Sequence, residues 1–575
     1  MKRFAVFSGV LVVPVLLGAQ DAPKPQTVGA APAPVTTLPL KLAPKPTKAA
    51  ITAEDLMTRL YVFADDSMMG REAGTLGSVK ATDYLAAEAK RIGLIPAGDN
   101  GTYFQTLPLK QRKVDPMSTF MAGTAPLAFG KDWAVGGQST FNKENLETVY
   151  GGVYGDTVNR ITSEQAAGKL VVMSVPLTGP AINGAVQSPE SPVPASAAAV
   201  ALLLPGQVMP QVAAYMHRAG ITVADGPPEP LRVFLAAGAA SMIFTKALNE
   251  LVIGDAGAKV AMNAIVTMTD NEFPARNVVG ILPGSDPVLK NQYVAVGAHS
   301  DHEGMSRTAL AHDSMLVFNR IVRPGGAEDG GKKATPEQVT QINAELVELR
   351  KKTPARSDSV FNGADDDGSG SVAVLEIAES MAAAKTKPKR STLFVWHVGE
   401  EKGLWGSHFF TEHSTVPRDS IVAQLNMDMV GRGAPSDQTG MTKDGKELRG
   451  GPDYLQLVGS RRLSTELGDM VDRINTGKKH GFTFDYAMDA NDHPMNIYCR
   501  SDHYEYAKFG IPVTFFTTGG HSAYHQLTDE PQYIDYPHMT RVAKLVADIA
   551  LELGNGAKRP LVDKPLLDPK GTCKQ

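Results

Sequence analysis

Ser391-Thr392-Leu393-Phe394-Val395-Trp396-His397-Val398-Gly399-Glu400-Glu401-Lys402-Gly403 is the stretch on which the reading of this chain turns. Leu393 to Val398 is a compact run of β-branched and aromatic residues, the pattern of a buried strand. It breaks at Gly399 into two adjacent glutamates. In an open α/β sheet, chemistry collects just beyond the carboxyl ends of the strands. Two carboxylates side by side repel there unless a cation lies near them or one stays protonated. The plain alternative is a solvated acidic turn closed by Lys402, and other strand ends must decide.

Three further strand-like runs end in residues of the same kind. Tyr293 to Ala298 runs into His299-Ser300-Asp301-His302, Ile421 to Met427 into Asp428, and Ile511 to Thr517 into a Gly-rich loop reaching His525. Between the first of these and the glutamate strand, Asn362 to Gly370 places Asp365, Asp366 and Asp367 directly before a helix with Val372, Leu375, Ala378 and Ala382 facing inward. Three consecutive aspartates are costly unless neutralised. The helix N-terminus supplies part of the compensation and a metal the rest. Four strand ends on one side of a sheet converge on one crevice. Two imidazoles and several carboxylates make a mixed nitrogen and oxygen set suited to zinc or a related divalent ion. In His299-x-Asp301 the carboxylate can accept the second imidazole N–H and fix the ring.

At 575 residues, two or more domains are expected. Residues 276–560 carry the α/β pattern, with a polar insertion at 303–361 and a tail at 561–575. Residues 51–109 supply its N-terminal helices. Residues 110–275 change texture to short apolar runs separated by Pro- and Gly-rich loops, which reads as an inserted β-rich domain. Residues 20–50 are rich in Pro, Ala, Thr and Lys and read as a linker outside any core. Lys2 and Arg3 before the apolar run Phe4 to Leu17 read as a signal peptide over 1–19, so the mature protein is expected to be exported, periplasmic or secreted, with no stable membrane insertion. The net charge of −4 offers no basic surface for nucleic acid. The two cysteines, Cys499 and Cys573, exclude a disulfide framework and allow one bridge at most.

The ordered motifs Val296 to His302, Asn362 to Gly370, Gly399 to Gly403, Leu425 to Met429, Ser501 to Tyr504, and His525-x-x-x-Asp529 resemble those of the M28 family of di-zinc metallopeptidases. In particular the chain is similar to secreted bacterial aminopeptidases with an inserted protease-associated domain. The match covers most of the chain from about Ile51, with Gly70-Arg71 and Gly93 to Pro96 included, and is only textural over the insert. The resemblance implies a mixed, mostly parallel central sheet sandwiched by helices, a zinc exopeptidase-like α/β fold, with a PA-like β-rich insert. It implies two zinc or related divalent ions and peptide substrates. Asp366 would bridge both metals, His299 and Asp428 would hold one, and Glu401 and His525 the other. Glu400 would be the general base, Asp301 the orienter of His299, and Tyr498 a transition-state donor. An aminopeptidase is the leading expectation. A carboxypeptidase on the same scaffold, a glutaminyl-cyclase-like acyltransferase with one zinc, and a metal-free binding or receptor protein are the alternatives.

Of the 13 histidines, most are expected to be bystanders. His302 and His503 would support the site, His397 and His217 would be packed, and His521 gives way to His525 because Asp529 follows the latter. His312-Asp313 has no strand before it. His408, His413, His480, His493 and His538 are expected at the surface or rim. The insertion at 303–361 leaves and re-enters at the site, so it is expected to act as a lid or side wall.

Overall fold

The computed structural model describes residues 38–568, apart from 157, 188–191 and 225–229, together with 573 and 575. The leader expected at 1–19 and the stretch 20–37 of the linker lie outside the described residues.

A nine-stranded sheet is built from β1 (Ile95–Pro96), β2 (Phe104–Leu107), β3 (Ala275–Leu282), β4 (Tyr293–His299), β5 (Ser391–His397), β6 (Ile421–Met427), β7 (Tyr454–Val458), β8 (Thr483–Asp485) and β9 (Val513–Thr517). The strand order is β1-β3-β5-β4-β6-β9-β7-β8, with β2 paired to β3. The glutamate strand β5 and the three other strands singled out above lie side by side and parallel. Antiparallel β3 and β7 flank them. All seven residues of β5 and of β6 are buried. Burial on both faces is why β5 reads as an unbroken apolar run.

Alternate side chains of β5 serve different cores. Phe394 and Trp396 pack with α1 (Ala53–Phe63), α2 (Leu76–Ile92), α3 (Gly370–Ala383) and α4 (Tyr536–Asn555). Leu393 and Val395 pack with Phe410, Tyr506 and Val513 on the other face. Thr52 caps α1 by accepting the Asp55 N–H at 3.1 Å. At the start of α3, a Cβ on Gly370 would stand 2.3 Å from the Met427 carbonyl oxygen. Only glycine lets the helix press against the end of β6, and this brings the aspartate loop onto the strand ends.

Residues 38–50 depart from the linker expectation. Leu38 and Leu42 pack against the main core. The Thr47 hydroxyl donates to Glu379 at 2.7 Å. Glu379 in turn belongs to an ion cluster in which Arg59, 1% exposed, pairs with Glu88, Glu376 and Glu379 from α2 and α3. Composition told against a core for this stretch, but it borrows one from its neighbours.

Between β2 and β3 the chain forms an eight-stranded sheet and a three-stranded sheet of its own, with apolar clusters on both faces of the larger. Its entry and exit are adjacent, because Leu107 and Ala275 are register partners. Here His217 follows the helix Met209–Met216 and stacks on Phe129, with ring centroids 4.2 Å apart. Its Nε2 accepts the Val135 N–H at 3.1 Å. Burial, helped by Arg112, pushes its pKa down to about 4 from 6.5. The folded state therefore resists a proton that the unfolded chain accepts. The stability held by this neutral imidazole is complete above pH 6.5 and is lost as the pH falls through about 4. The protection of the Val135 amide, measured against its intrinsic exchange rate at each pH, is expected to fall over that window in the parent and to stay constant in His217→Phe. Constant protection in the parent would refute the assignment.

The 303–361 insertion is a hairpin, Met305–Ala311 with Ser357–Val360, enclosing helices His312–Val322 and Pro336–Arg350. Thr335 and Gln338 form a capping box on the second helix. That helix buries none of its residues fully, and Val339 and Val347 are 45% and 57% exposed. The insertion grips the loop that carries His525. Ala327 N–H donates to the Tyr524 carbonyl at 3.1 Å, Asn319 bonds Gln526, and His312 meets Glu530 at 2.9 Å.

Candidate metal centre

The parallel register sets the site. His299 and His397 are level across β4 and β5, so Glu400 and Glu401 lie just beyond His299. Asp428 follows directly on β6, whose Met427 pairs with Phe516 of β9. His299 Nε2 is 3.2 Å from Asp366 Oδ1 and 3.6 Å from Asp428 Oδ1. On the other side of the same carboxylate, His525 Nε2 is 3.0 Å from both Asp366 Oδ2 and Glu401 Oε2. Asp366 thus joins two donor groups. Ligand atoms of His299, Asp366 and Asp428 lie within 4.8 Å of one another, as do those of His302, Asp366 and Glu401, and those of Glu303, Glu401 and His525.

Main-chain and side-chain donors fix this geometry. Asp367 accepts the N–H groups of His299, Gly370 and Met429, and Asp529 accepts those of Asp365 and Asp366. His521 lies 3.2 Å from Asp365, and His302 bonds Glu401 at 2.8 Å, so both back up neighbouring carboxylates. Ser501 donates to Asp428 Oδ2 at 2.8 Å. His299 Nδ1 lies 3.2 Å from the Asp301 carbonyl oxygen and 3.8 Å from its carboxylate. The Asp301 carboxylate instead accepts the Glu400 N–H at 3.1 Å, so it fixes the backbone of the glutamate pair.

Sequence reasoning missed what lies beneath. Arg71 is fully buried and donates to the carbonyls of Ser300 (3.0 Å), Asn362 (2.5 Å) and Gly363 (2.8 Å). It ties the histidine loop to the aspartate loop. Burial pushes its pKa down to about 10 against the pull of Asp301, Asp529 and Asp366. At the preceding residue, Gly70, a Cβ would stand 2.0 Å from the Gly304 carbonyl oxygen. The motif Gly70-Arg71 was visible, but nothing in its pattern showed where the guanidinium goes.

Charge is the dominant feature. Burial opposes ionisation of Asp366, yet His299 and His525 outweigh it and hold the carboxyl well below its usual range. Burial likewise opposes charge on His525, and Asp366 and Glu401 drive it up to about 11. Burial, with Asp428 and Glu401 adding to it and His299 opposing, pushes Glu400 well above the carboxylate range. The cluster therefore calls for cations. The donor chemistry fits divalent metals: His299 Nε2, beside Asp366 Oδ1, and Asp366 Oδ2, beside His525 Nε2, are buried and make no hydrogen bond.

Asp366, Asp428 and His525 line the floor of an open cavity of about 190 Å³. Its walls are largely apolar, with Met429, Met441, Met488, Met495, Ile497 and Phe515. Glu400 faces the same space, and Glu328 and Asp329 of the insertion form part of the wall.

Tyr498 is not on that wall. It is 1% exposed within the opposite-face core, with the Arg462 guanidinium 4.6 Å from its ring centroid. The 3-10 turn Ile497–Cys499 directs Ile497 and Arg500 to the cavity and Tyr498 away. Tyr524 lines the cavity instead, with its hydroxyl 3.4 Å from Arg500 and its ring 4.0 Å from that of His525. Its position next to His525 was the available signal. His493 and His538, expected at the surface or rim, are 3% and 5% exposed and bond the carbonyls of Met441 and Tyr454.

The sequence from 277 to 550 matches the profile of peptidase family M28. The M28 region resembles "Leucine aminopeptidase 1" of Aspergillus fumigatus, 29% identical over 203 residues, 33% of this chain and 46% of that protein. It also resembles a "Probable leucine aminopeptidase" of Trichophyton verrucosum, 26% identical over 259 residues, 44% of this chain and 61% of that protein. The chain thus spans about half the length of the curated relatives it matches. Among solved structures, an aminopeptidase from Aneurinibacillus sp. strain AM-1 is 15% identical with a TM-score of 0.43, covering 90% of this chain and 97% of that one.

Proposed function

We propose that the protein is a metal-dependent aminopeptidase that removes N-terminal residues from peptides. The observation that carries this is the pair of donor groups joined by Asp366 at the floor of a cavity that Glu400 also faces. His299, Asp366 and Asp428 would hold one zinc or related divalent ion, and Asp366, Glu401 and His525 a second. Bound there, two such ions would supply Lewis acidity toward the scissile carbonyl and acidify a nearby water. Glu400 takes the proton of the attacking water and returns it to the leaving amine. Asp301 holds Glu400 in place through its N–H. The Tyr524 hydroxyl, whose pKa burial and Asp366 push well above the ordinary value, stays protonated and donates to the developing oxyanion.

The charge of the cavity favours the amino end. Five of its described lining residues are acidic, and Arg500 is the only lysine or arginine among them. That arginine is already paired with Glu328 at 2.5 Å. An incoming ammonium finds carboxylates. Apart from the ions themselves, an incoming carboxylate finds no unpaired lysine or arginine among the described lining residues. Leucine aminopeptidases among the relatives agree with this reading. The expected leader at 1–19 and the bridge between Cys499 and Cys573 support action outside the cytoplasm. No helix among the described residues is long and apolar enough to cross a membrane. We assign residues 110–275 as a PA-like domain that takes no part in the chemistry.

A panel of free and N-acetylated peptides, with and without chelator and read by mass, tests the proposal. Free peptides should shorten from the N-terminus, acetylated ones should remain whole, and chelator should stop the reaction. Residues released from the C-terminus of acetylated peptides would make this a carboxypeptidase. Chelator-insensitive cleavage would remove the metal from the mechanism.

A further inference from the structure

One wall of the cavity is shaped from a distant part of the chain. The segment from Tyr486 to Ser501 contributes Met488, Met495, Ile497 and Arg500 to the lining. Its regular structure is limited to two 3-10 turns, Ala487–Asp489 and Ile497–Cys499, and Asp492 and Asn496 sit at positive φ between them. With so few ladder hydrogen bonds, a segment of this kind does not hold one shape unaided. Cys499 is bonded to Cys573, 74 positions further on, with Cα atoms 5.9 Å apart. Gln575, 7% exposed, completes the attachment. Its Nε2 donates to the carbonyls of Met488 and Ala490, and its Oε1 accepts the Tyr498 N–H at 3.0 Å. Its own carbonyl accepts the Asp492 N–H at 2.8 Å, and its N–H donates to Asn496 Oδ1 at 3.0 Å. A single residue thus satisfies polar groups at both ends and in the middle of the wall segment.

We infer that Cys573 and Gln575 are positioning residues for substrate selection: they hold the 486–500 wall in the shape that receives a large apolar side chain at the substrate's N-terminus. This rests on the aminopeptidase reading. The donor groups below sit at strand ends and on loops braced by Asp367, Asp529 and Arg71, whereas this wall is tied to the rest of the fold by Arg462 on Asp489 and by His493 on the Met441 carbonyl, and leaves main-chain groups of Met488, Ala490, Asp492 and Tyr498 to Gln575. Methionine and isoleucine side chains grip an apolar partner through many weak contacts that a wall displacement of under an ångström diminishes. An alanine side chain is too short to depend on them.

Gln575→Ala and the double variant Cys499→Ser/Cys573→Ser test this against the parent on peptides beginning with leucine or alanine. The KM for the leucine peptide is expected to rise about tenfold, about 1.4 kcal/mol of lost binding, in either variant. Both kcat values, the alanine KM and the metal content should stay within about twofold. Hydrogen exchange should accelerate at the Asp492 and Tyr498 amides. A uniform loss on both peptides would mark a purely structural role and overturn the inference, as would an unchanged leucine KM or unchanged exchange. Calorimetric binding of leucinamide and alaninamide reads the same contrast without turnover. An inactive parent would therefore end the aminopeptidase reading and still leave this inference decided.

Discussion

Glu400→Gln is expected to keep its metal and lose turnover, with kcat down by about 10²- to 10⁴-fold, the usual worth of a positioned general base. The substitution keeps the shape of the side chain and leaves the backbone N–H on Asp301 untouched. Glu400 belongs to none of the three-residue donor groups, so the amide removes a proton acceptor and no ligand. Its neighbour behaves oppositely. Glu401 is 3.0 Å from His525 and 2.8 Å from His302, and Glu401→Ala should lose metal before it loses anything else. Metal analysis beside steady-state kinetics separates the two. Full metal and full activity in both variants would overturn the division of labour, and metal loss from Glu400→Gln would make that residue a ligand.

Asp366→Asn should have the widest effect on metal. One carboxylate stands between His299 and His525, one oxygen toward each. The amide replaces one of those oxygens with a donor and removes the charge that both ions would share. Affinity is expected to fall by more than about 100-fold for both ions, whereas Asp428→Asn should weaken chiefly the one on the His299 side. A ligand that binds only the folded state stabilises it by about 4 kcal/mol at a thousandfold excess over its Kd. The rise in melting temperature that zinc gives the parent should therefore fall by about two-thirds or more in Asp366→Asn and by less in Asp428→Asn. A parent-like rise in Asp366→Asn would show that the two ions do not share this residue.

Much of the fold was legible because buried parallel strands advertise themselves. β4, β5, β6 and β9 were apolar runs with polar ends, and the sheet places those ends level. The aspartate loop was legible from its place before a helix. Loop-to-loop contacts were not. Nothing periodic marks Arg71 as the tie between two ligand loops, nor Gln575 as a brace for a wall whose Tyr498 lies 77 positions earlier. Tyr498 and Tyr524 differ only in which way a turn directs them, and spacing carries no sign for that. Residues 38–50 looked like linker because their composition lacks a core, yet Leu38 and Leu42 lie on one that other segments supply. His493 and His538 looked superficial because a single polar residue in a mixed stretch does not reveal the carbonyl waiting for it.

The pairing of β2 with β3 has an evolutionary corollary. Leu107 and Ala275 sit opposite each other, so more than 160 residues leave and return through the mouth of one hairpin. A tight turn could bridge that mouth without disturbing a single central strand. The ancestral enzyme could therefore have gained this module by splicing into a turn, and a descendant could shed it by the same route.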